Sequence, residues 1–118
     1  MAIPATTYIF KESMDPYDVV DYVADVSGML EAGEAVASFN LLVPAESALL
    51  GFELKTSGGY ATTLTNSELR FWASINATKQ TDPAFISGAT IPVEINITTN
   101  STPPRKKQRT LAVKVIHK

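Results

Sequence analysis

The stretch IPVEINITT at residues 91–99 decides the fold class, because its apolar side chains recur at every second position. The stretch TLAVKVI at residues 110–116 repeats this pattern. Alternation at period two indicates a half-buried strand. The inward-facing residues are then Ile91, Val93, Ile95 and Ile97 in the first run, and Leu111, Val113 and Val115 in the second. The polar, proline-containing segment between the runs predicts a hairpin that closes a β domain.

Shorter alternating runs predict further strands. They lie at residues 35–43, 49–55 and 68–76, with a short strand at residues 61–65. The inward-facing residues are predicted to be Ala37, Phe39, Leu41 and Val43 in the first, Leu50, Phe52 and Leu54 in the second, and Leu69, Phe71, Ala73 and Ile75 in the third. Residues 18–27 fit either a strand with Val20, Tyr22, Ala24 and Val26 inward or a helix, and their β-branched side chains favour the strand. Turn signals at short intervals predict an all-β, antiparallel two-sheet β-sandwich of immunoglobulin-like type with about seven strands.

Residues 1–13 read as an extended N-terminal arm, followed by the sandwich domain at residues 14–118. Pro4 and the run at residues 6–10 favour extended backbone. This arm is either the first strand or a segment that reaches a neighbouring subunit. The first ten residues have no charged leader and no long apolar core, and no stretch has the ~18 apolar residues of a membrane span. We therefore expect synthesis in a cytoplasm and no membrane partner.

The composition argues against several classes of function. The chain has 118 residues, 45% of them hydrophobic, a net charge of −2 and no cysteine. One domain with a real core is expected, without disulfides, a thiolate zinc site or a cysteine nucleophile. The single histidine, His117, lies next to the C-terminus and reads as an exposed strand residue rather than a general base. We expect no enzyme, no cofactor and no small-molecule substrate, and the net charge gives no general case for a nucleic-acid partner.

Charge is distributed unevenly along the chain. Residues 12–34 hold seven carboxylates and no basic residue, whereas residues 105–118 hold six basic residues and no acid. Either the two ends are neighbours that balance each other, or one pole of a subunit attracts the opposite pole of the next. The acidic run does not have the spacing of a calcium-binding loop and reads as a solvated face. The basic loop at residues 103–109 reads as a solvated hairpin loop, with contact to an acidic protein surface or to nucleic acid as the alternative.

Two further features invite a functional interpretation. Trp72 is predicted on the outer face of its strand near Tyr60, as an interface anchor, a sugar-stacking platform, or a ring covered by a loop of its own domain. Three Asn-X-Thr sequons, at Asn76, Asn96 and Asn100, read as accidents of a strand composition rich in Asn and Thr.

Three segments, in their order along the chain, carry a resemblance to a known family. They are KESMDPYDVVDYVADVS at residues 11–27, LEAGEAVAS at residues 30–38 and INITTNSTPPRKKQRTLAVKV at residues 95–115. The chain resembles a small immunoglobulin-like domain that is common in genomes of tailed bacteriophages and often lies among virion structural genes. It departs from that pattern at Val26, where a Trp often follows the Asp-Tyr strand, and residues 49–90 carry little of it.

The resemblance implies a non-enzymatic structural protein of a tailed phage virion, made in the host bacterial cytoplasm. Our leading hypothesis is a capsid decoration or cement protein whose partners are the major capsid protein and neighbouring copies of itself. The alternatives are a neck, tail or fibre module, and a carbohydrate-binding adhesion module. The predicted partner-binding residues lie in the arm, around the Trp and in the basic loop: Ile3, Tyr8, Phe10, Tyr60, Trp72, Arg105, Lys106 and Lys107.

Overall fold

The two alternating runs at the end of the chain form the two longest strands of the fold. A computed structural model describes residues 3–118. Its strands are β1 Tyr8–Ile9, β2 Val20–Asp25, β3 Val36–Leu42, β4 Phe52–Lys55, β5 Thr63–Thr65, β6 Glu68–Ile75, β7 Ala89–Thr99 and β8 Lys106–Val115. Two short helices, α1 Ala45–Leu49 and α2 Ala84–Ser87, and two 3-10 helices, Ser27–Met29 and Ala77–Lys79, lie in the connections.

The strands form two sheets. The hairpin sheet has the order β1-β8-β7-β3, and the β6 sheet has the order β2-β6-β4, with β5 also paired to β6. The cores of these orders, β8-β7-β3 and β2-β6-β4, correspond to the CFG and BED groupings of immunoglobulin-like sandwiches. The predicted all-β sandwich of immunoglobulin-like type is thus confirmed. Within the described residues it has eight strands rather than about seven, and β1 pairs with β8 in parallel.

The core lies between the sheets and is built by the predicted alternation. Ile91, Val93, Ile95 and Ile97 of β7 are at most 2% exposed, and they face Leu69, Phe71, Ala73 and Ile75 of β6, which are at most 3% exposed. The hairpin pairs in continuous register from Ala89 opposite Val115 to Thr98 opposite Lys106. The strand interpretation of residues 18–27 is confirmed, because Val20–Asp25 pairs with β6 and buries Tyr22 and Ala24.

The N-terminal segment is the first strand of the hairpin sheet. The Phe10 amide donates to the Ala112 carbonyl at 3.0 Å, and the Met14 amide donates to the Lys114 carbonyl at 2.9 Å. Residues 8–14 therefore lie along β8 in parallel, and Met14 is fully buried. Of the two interpretations of the arm, the first strand is the one seen here, as the short β1 at Tyr8–Ile9 and an isolated bridge at Met14. Met1 and Ala2 lie outside the described residues.

Two local predictions were wrong. Ala37 is exposed and Val36 packs against the core instead, because the register of β3 against β7 shifts between Val36 and Ser38 and this shift changes which positions face inward. The strand predicted over residues 49–55 begins only at Phe52, since residues 45–49 form α1. Phe52 is buried and Leu50 and Leu54 pack against the core, as predicted.

Candidate functional site

The two oppositely charged ends of the chain meet within one molecule. Arg105 Nη1 lies 2.8 Å from Glu34 Oε2, and Lys107 Nζ lies 3.5 Å from Glu31 Oε1. At the C-terminus, the Lys118 amide donates to Asp15 Oδ2 at 2.8 Å. The structure therefore supports the interpretation in which the charged ends are neighbours that balance each other. Two of the predicted partner-binding residues, Arg105 and Lys107, are engaged by carboxylates of their own domain, whereas Lys106 is exposed.

Glu34 is the most perturbed carboxylate of this contact. Its Oε1 accepts the Glu31 amide at 2.8 Å, and its side chain is 4% exposed. The hydrogen bond from the Glu31 backbone, supported by Ser101, Arg105 and Thr99, lowers the pKa of Glu34 to about 2 against the opposing effect of burial. The residue is thus held ionised, and it ties the turn before β3 to the β7–β8 loop.

Trp72 lies on the outer face of the β6 sheet, as predicted. Its ring centroid is 5.3 Å from that of Tyr60, and the two rings meet edge to face. Its cross-strand neighbours are Asp21 on β2 and Lys55 on β4. Both aromatic residues are partly buried, so the loop that carries Tyr60 covers part of Trp72. The pair remains a surface feature with polar neighbours on both sides.

Exposed apolar side chains are concentrated in the N-terminal part of the chain. We call Tyr8, Ile9, Tyr17, Val19 and Val23 the N-terminal apolar set. They are five of the eight large hydrophobic residues that are exposed within residues 3–118. They come from β1, β2 and the segment between, and β1 and β2 form one edge of each sheet.

The contacts inside this side of the sandwich correct one predicted partner-binding residue. Phe10 is 5% exposed, with its ring centroid 4.9 Å from Tyr22 and 5.8 Å from Phe71. It joins the two sheets through the core and offers no surface to a partner. Tyr8 is 53% exposed and Ile3 is partly buried.

A groove opens between the sheets on the same side, beyond the end of β1. It has a volume of about 340 Å³ and is walled by Ala24, Val26 and Met29 on one side and by Ile95 and Leu111 on the other. Arg109 of β8 and Asp25 of β2 stand at its rim. Sequence reasoning missed this groove. One signal was present, because Arg109 and Lys107 occupy the same alternate positions as the inward-facing Leu111 and Val113, which places charged residues where a core face ends.

No group of three or more His, Asp or Glu side chains within residues 3–118 is placed to hold a metal ion. His117 Nδ1 lies 4.0 Å from Asp15 Oδ2 at the exposed C-terminal end. The Tyr22 hydroxyl donates to the Glu12 carbonyl at 3.1 Å, and burial, followed by the nearby Asp18 and Glu12 charges, raises the pKa of Tyr22 to about 12.

Among residues 3–118 there is no helix with the length and apolar character to cross a membrane.

Two of the sequon asparagines have local structural roles. Asn76 Oδ1 accepts the Thr78 amide at 3.0 Å and caps the Ala77–Lys79 turn. Asn100 Oδ1 accepts the Ala35 amide at 2.9 Å and joins the β7–β8 loop to the start of β3. Their presence is therefore explained by capping and loop contacts.

Comparison of the chain with protein-family models and with curated proteins found no match. The functional proposal therefore rests on the fold, on the surface of the domain and on the motifs of residues 11–38 and 95–115.

Proposed function

We propose that this domain is a non-enzymatic structural protein of a tailed phage virion. In our leading version it decorates the capsid and clamps neighbouring major capsid subunits together with adjacent copies of itself. The resemblance in residues 11–38 and 95–115 supports the virion assignment. The immunoglobulin-like sandwich is compatible with it but hosts many unrelated roles, so the argument depends on the surface.

The observation that carries the proposal is the N-terminal apolar set. Tyr17 is 61% exposed and Tyr8 is 53% exposed, and Val19, just before β2, and Val23 on β2 add apolar area. Five exposed large apolar side chains within residues 8–23 are more than the isolated ones of an ordinary surface, and exposed apolar area of this kind is a feature of interaction sites. Tyrosine is also enriched in interfaces, because its ring buries area while its hydroxyl keeps a polar contact. A partner on this side would reach the β1 and β2 edges together.

The experiment is binding of the purified protein to expanded, undecorated heads of the encoding phage, measured as comigration on a sucrose gradient. Saturable comigration at a fixed ratio to the major capsid protein would support decoration. Absence from heads, with the protein instead at low copy number in tail fractions, would reject decoration and favour the neck, tail or fibre alternative.

Matched variants test whether the N-terminal apolar set makes the contact. Tyr17→Ala combined with Val23→Thr removes exposed apolar area and keeps a β-branched residue in β2. The control, Leu49→Ala with Ile86→Ala, removes side chains that are 73% and 71% exposed in α1 and α2. We expect the first pair to abolish comigration and the control pair to preserve it. Equal loss in both would contradict the assignment of the surface.

The carbohydrate-binding alternative rests on the partly exposed Tyr60–Trp72 pair, since an aromatic ring with polar neighbours can stack on a sugar. A glycan array probed with the intact protein and with Trp72→Ala tests it. Glycan binding that disappears in the variant would favour adhesion over the structural role.

A further inference from the structure

The outer edge of β8 lacks a strand partner over its first half. β1 pairs only with Leu111 and Ala112, and the order of the hairpin sheet places no other described strand beside β8 on that side. Before β1 the chain turns, with the Thr7 amide donating to the Pro4 carbonyl at 3.1 Å. In a parallel ladder with this register Tyr8 bonds the backbone of Thr110 and Ala112, so residues 106–109 form an open edge within the described chain.

The direction of the backbone groups along this edge follows from the bonds on either side of it. The carbonyls of Ala112 and Lys114 accept amides of the N-terminal segment, whereas the Arg105 carbonyl accepts the Thr99 amide of β7. In a strand the N–H and C=O of one residue point to the same side, and that side alternates along the chain. Even-numbered residues of β8 therefore point outward, which leaves Lys106 and Gln108 facing the open edge.

One of these outward groups is already engaged by a side chain. Arg109 Nη1 donates to the Gln108 carbonyl at 2.8 Å, and Arg109 forms no ion pair within 4.0 Å among residues 3–118. A guanidinium at a groove rim beside an open edge is suited to a carboxylate, which it can bind through two parallel hydrogen bonds.

The geometry points to this edge as a docking site for an extended segment of a partner protein, with an acidic side chain beside Arg109 and aliphatic side chains on either side. The segment adds a strand to β8 at residues 106–109 by backbone hydrogen bonds. Its inward-facing aliphatic side chains enter the groove walled by Val26, Met29 and Leu111, and its carboxylate replaces the Gln108 carbonyl at Arg109. Asp25 on the opposite rim carries a negative charge, so the acidic residue is placed on the β8 side.

This inference deepens the proposed structural role and rests on it, because it names the kind of partner segment that such a module takes up. Its test uses the isolated protein and a designed peptide, whereas the test of the proposed function uses phage heads. A failure of one is therefore distinguishable from a failure of the other.

The probe is a fluorescein-labelled heptapeptide of sequence Thr-Val-Thr-Asp-Thr-Val-Thr, which reads the same in both directions and so fits a parallel or an antiparallel strand. Anisotropy gives its affinity, and amide NMR shifts locate it. We expect a Kd below about 1 mM, with shifts concentrated in residues 106–111 and 24–29. The same peptide with Lys in place of Asp should bind at least about tenfold more weakly.

Two pairs of variants separate the charge contact from the backbone contact. Arg109→Glu should reverse the preference between the Asp and Lys peptides, whereas Lys114→Glu makes the same charge change at an exposed position of the same strand and should leave the preference unchanged. Gln108→Pro removes the outward N–H and should weaken binding by about threefold to tenfold. Gln108→Ala removes the same side chain but keeps the N–H, and should bind like the parent.

Several outcomes would overturn the proposal. They are the absence of shifts at residues 106–111 near 1 mM peptide, equal affinity for the Asp and Lys peptides, or shifts confined to the Trp72 face. A protein that dimerises through this edge in place of taking up the peptide would also overturn it, and sedimentation with and without peptide detects that case. Circular dichroism of each variant checks that the sandwich is retained.

Discussion

Replacing Phe10 by Ala should destabilise the whole domain, although Phe10 lies in a segment that the sequence presents as an arm. Its ring lies 4.9 Å from Tyr22 of β2 and 5.8 Å from Phe71 of β6, so it links the N-terminal strand to the opposite sheet. The side chain is 5% exposed. If residues 8–14 are part of the sandwich, removing this ring leaves a cavity between the sheets.

The expected cost can be worked out from this burial. Burying a Phe side chain contributes about 1.5–3 kcal/mol by transfer alone, and the cavity raises the cost of Phe→Ala to about 3–5 kcal/mol. A domain of 118 residues has a free energy of unfolding of about 6–18 kcal/mol. The variant should therefore fold, but with a large part of its stability lost.

Urea unfolding followed by the fluorescence of Trp72, the single tryptophan, measures this cost. With a slope of about 1.5 kcal/mol per molar urea, a loss of 3 kcal/mol lowers the midpoint by about 2 M. The matched control is Tyr8→Ala, two residues earlier and 53% exposed, for which we expect a cost of about 1 kcal/mol or less.

Equal and small costs for the two variants would refute the reasoning. In that case residues 8–14 would not contribute to the stability of the sandwich in solution. The interpretation of this segment as an arm that reaches a neighbouring subunit would then be preferred, and Tyr8 and Ile9 of the N-terminal apolar set would lose their fixed positions.

Three further predictions concern single residues. Folding lowers the pKa of Glu34 from 4.5 to about 2. Its contribution to stability is therefore present above pH 4.5 and is lost as the pH falls towards 2. Between pH 6 and pH 2, the urea midpoint of Glu34→Gln should fall less steeply than that of the parent protein. Folding raises the pKa of Tyr22 from 10 to about 12. Its contribution to stability is therefore present below pH 10 and is lost as the pH rises through 12. The absorbance of the protein at alkaline pH should show one tyrosine that titrates near 12, and this titration should be absent in Tyr22→Phe. Gly51 has φ +83°, and an added Cβ would lie 2.5 Å from Lys79 Cβ. In urea unfolding, Gly51→Ala should therefore lower the free energy of unfolding by about 1–3 kcal/mol. The control Gly28→Ala, at a position with open space around it, should lower it by about 0.5 kcal/mol or less.

The strands that the sequence predicts best are those whose pairing has no irregularity. In β7 and β6 the core-facing positions keep the same parity, from Ile91 to Ile97 and from Leu69 to Ile75, because β7 pairs in continuous register with β8 and β6 with β2. The hydrophobic pattern then reports the facing of every residue directly. The position of Trp72 on the outer face follows from the same parity.

The failures arise where pairing or turn geometry overrides the pattern. In β3 a shift after Val36 turns Ala37 outward, and the side chains alone do not show where a register shift occurs. Residues 45–49 form a helix after Pro44, and Gly51 at positive φ starts the chain into β4, so the leucines before it lie outside the strand. Both features depend on backbone geometry, which the alternation of apolar residues does not predict.

The open edge of β8 was hidden from sequence reasoning for a related reason. Where β1 stops pairing is set by the tertiary structure, and it leaves the outer edge of residues 106–109 without a strand partner, although their pattern continues that of residues 111–115. The charged ends of the chain meet in two ion pairs, Arg105–Glu34 and Lys107–Glu31.

At the open edge this internal pairing leaves Lys106 and Arg109 without an ion pair within 4.0 Å among residues 3–118. Basic side chains along an exposed edge discourage pairing between copies of the same strand, since like charges would lie opposite each other. The same charges attract an acidic strand, and that attraction should weaken with added salt because the edge is exposed. We therefore expect this edge to disfavour pairing with a second copy of β8 and to favour an acidic partner strand. The affinity of the Asp peptide, measured at increasing ionic strength, tests this preference.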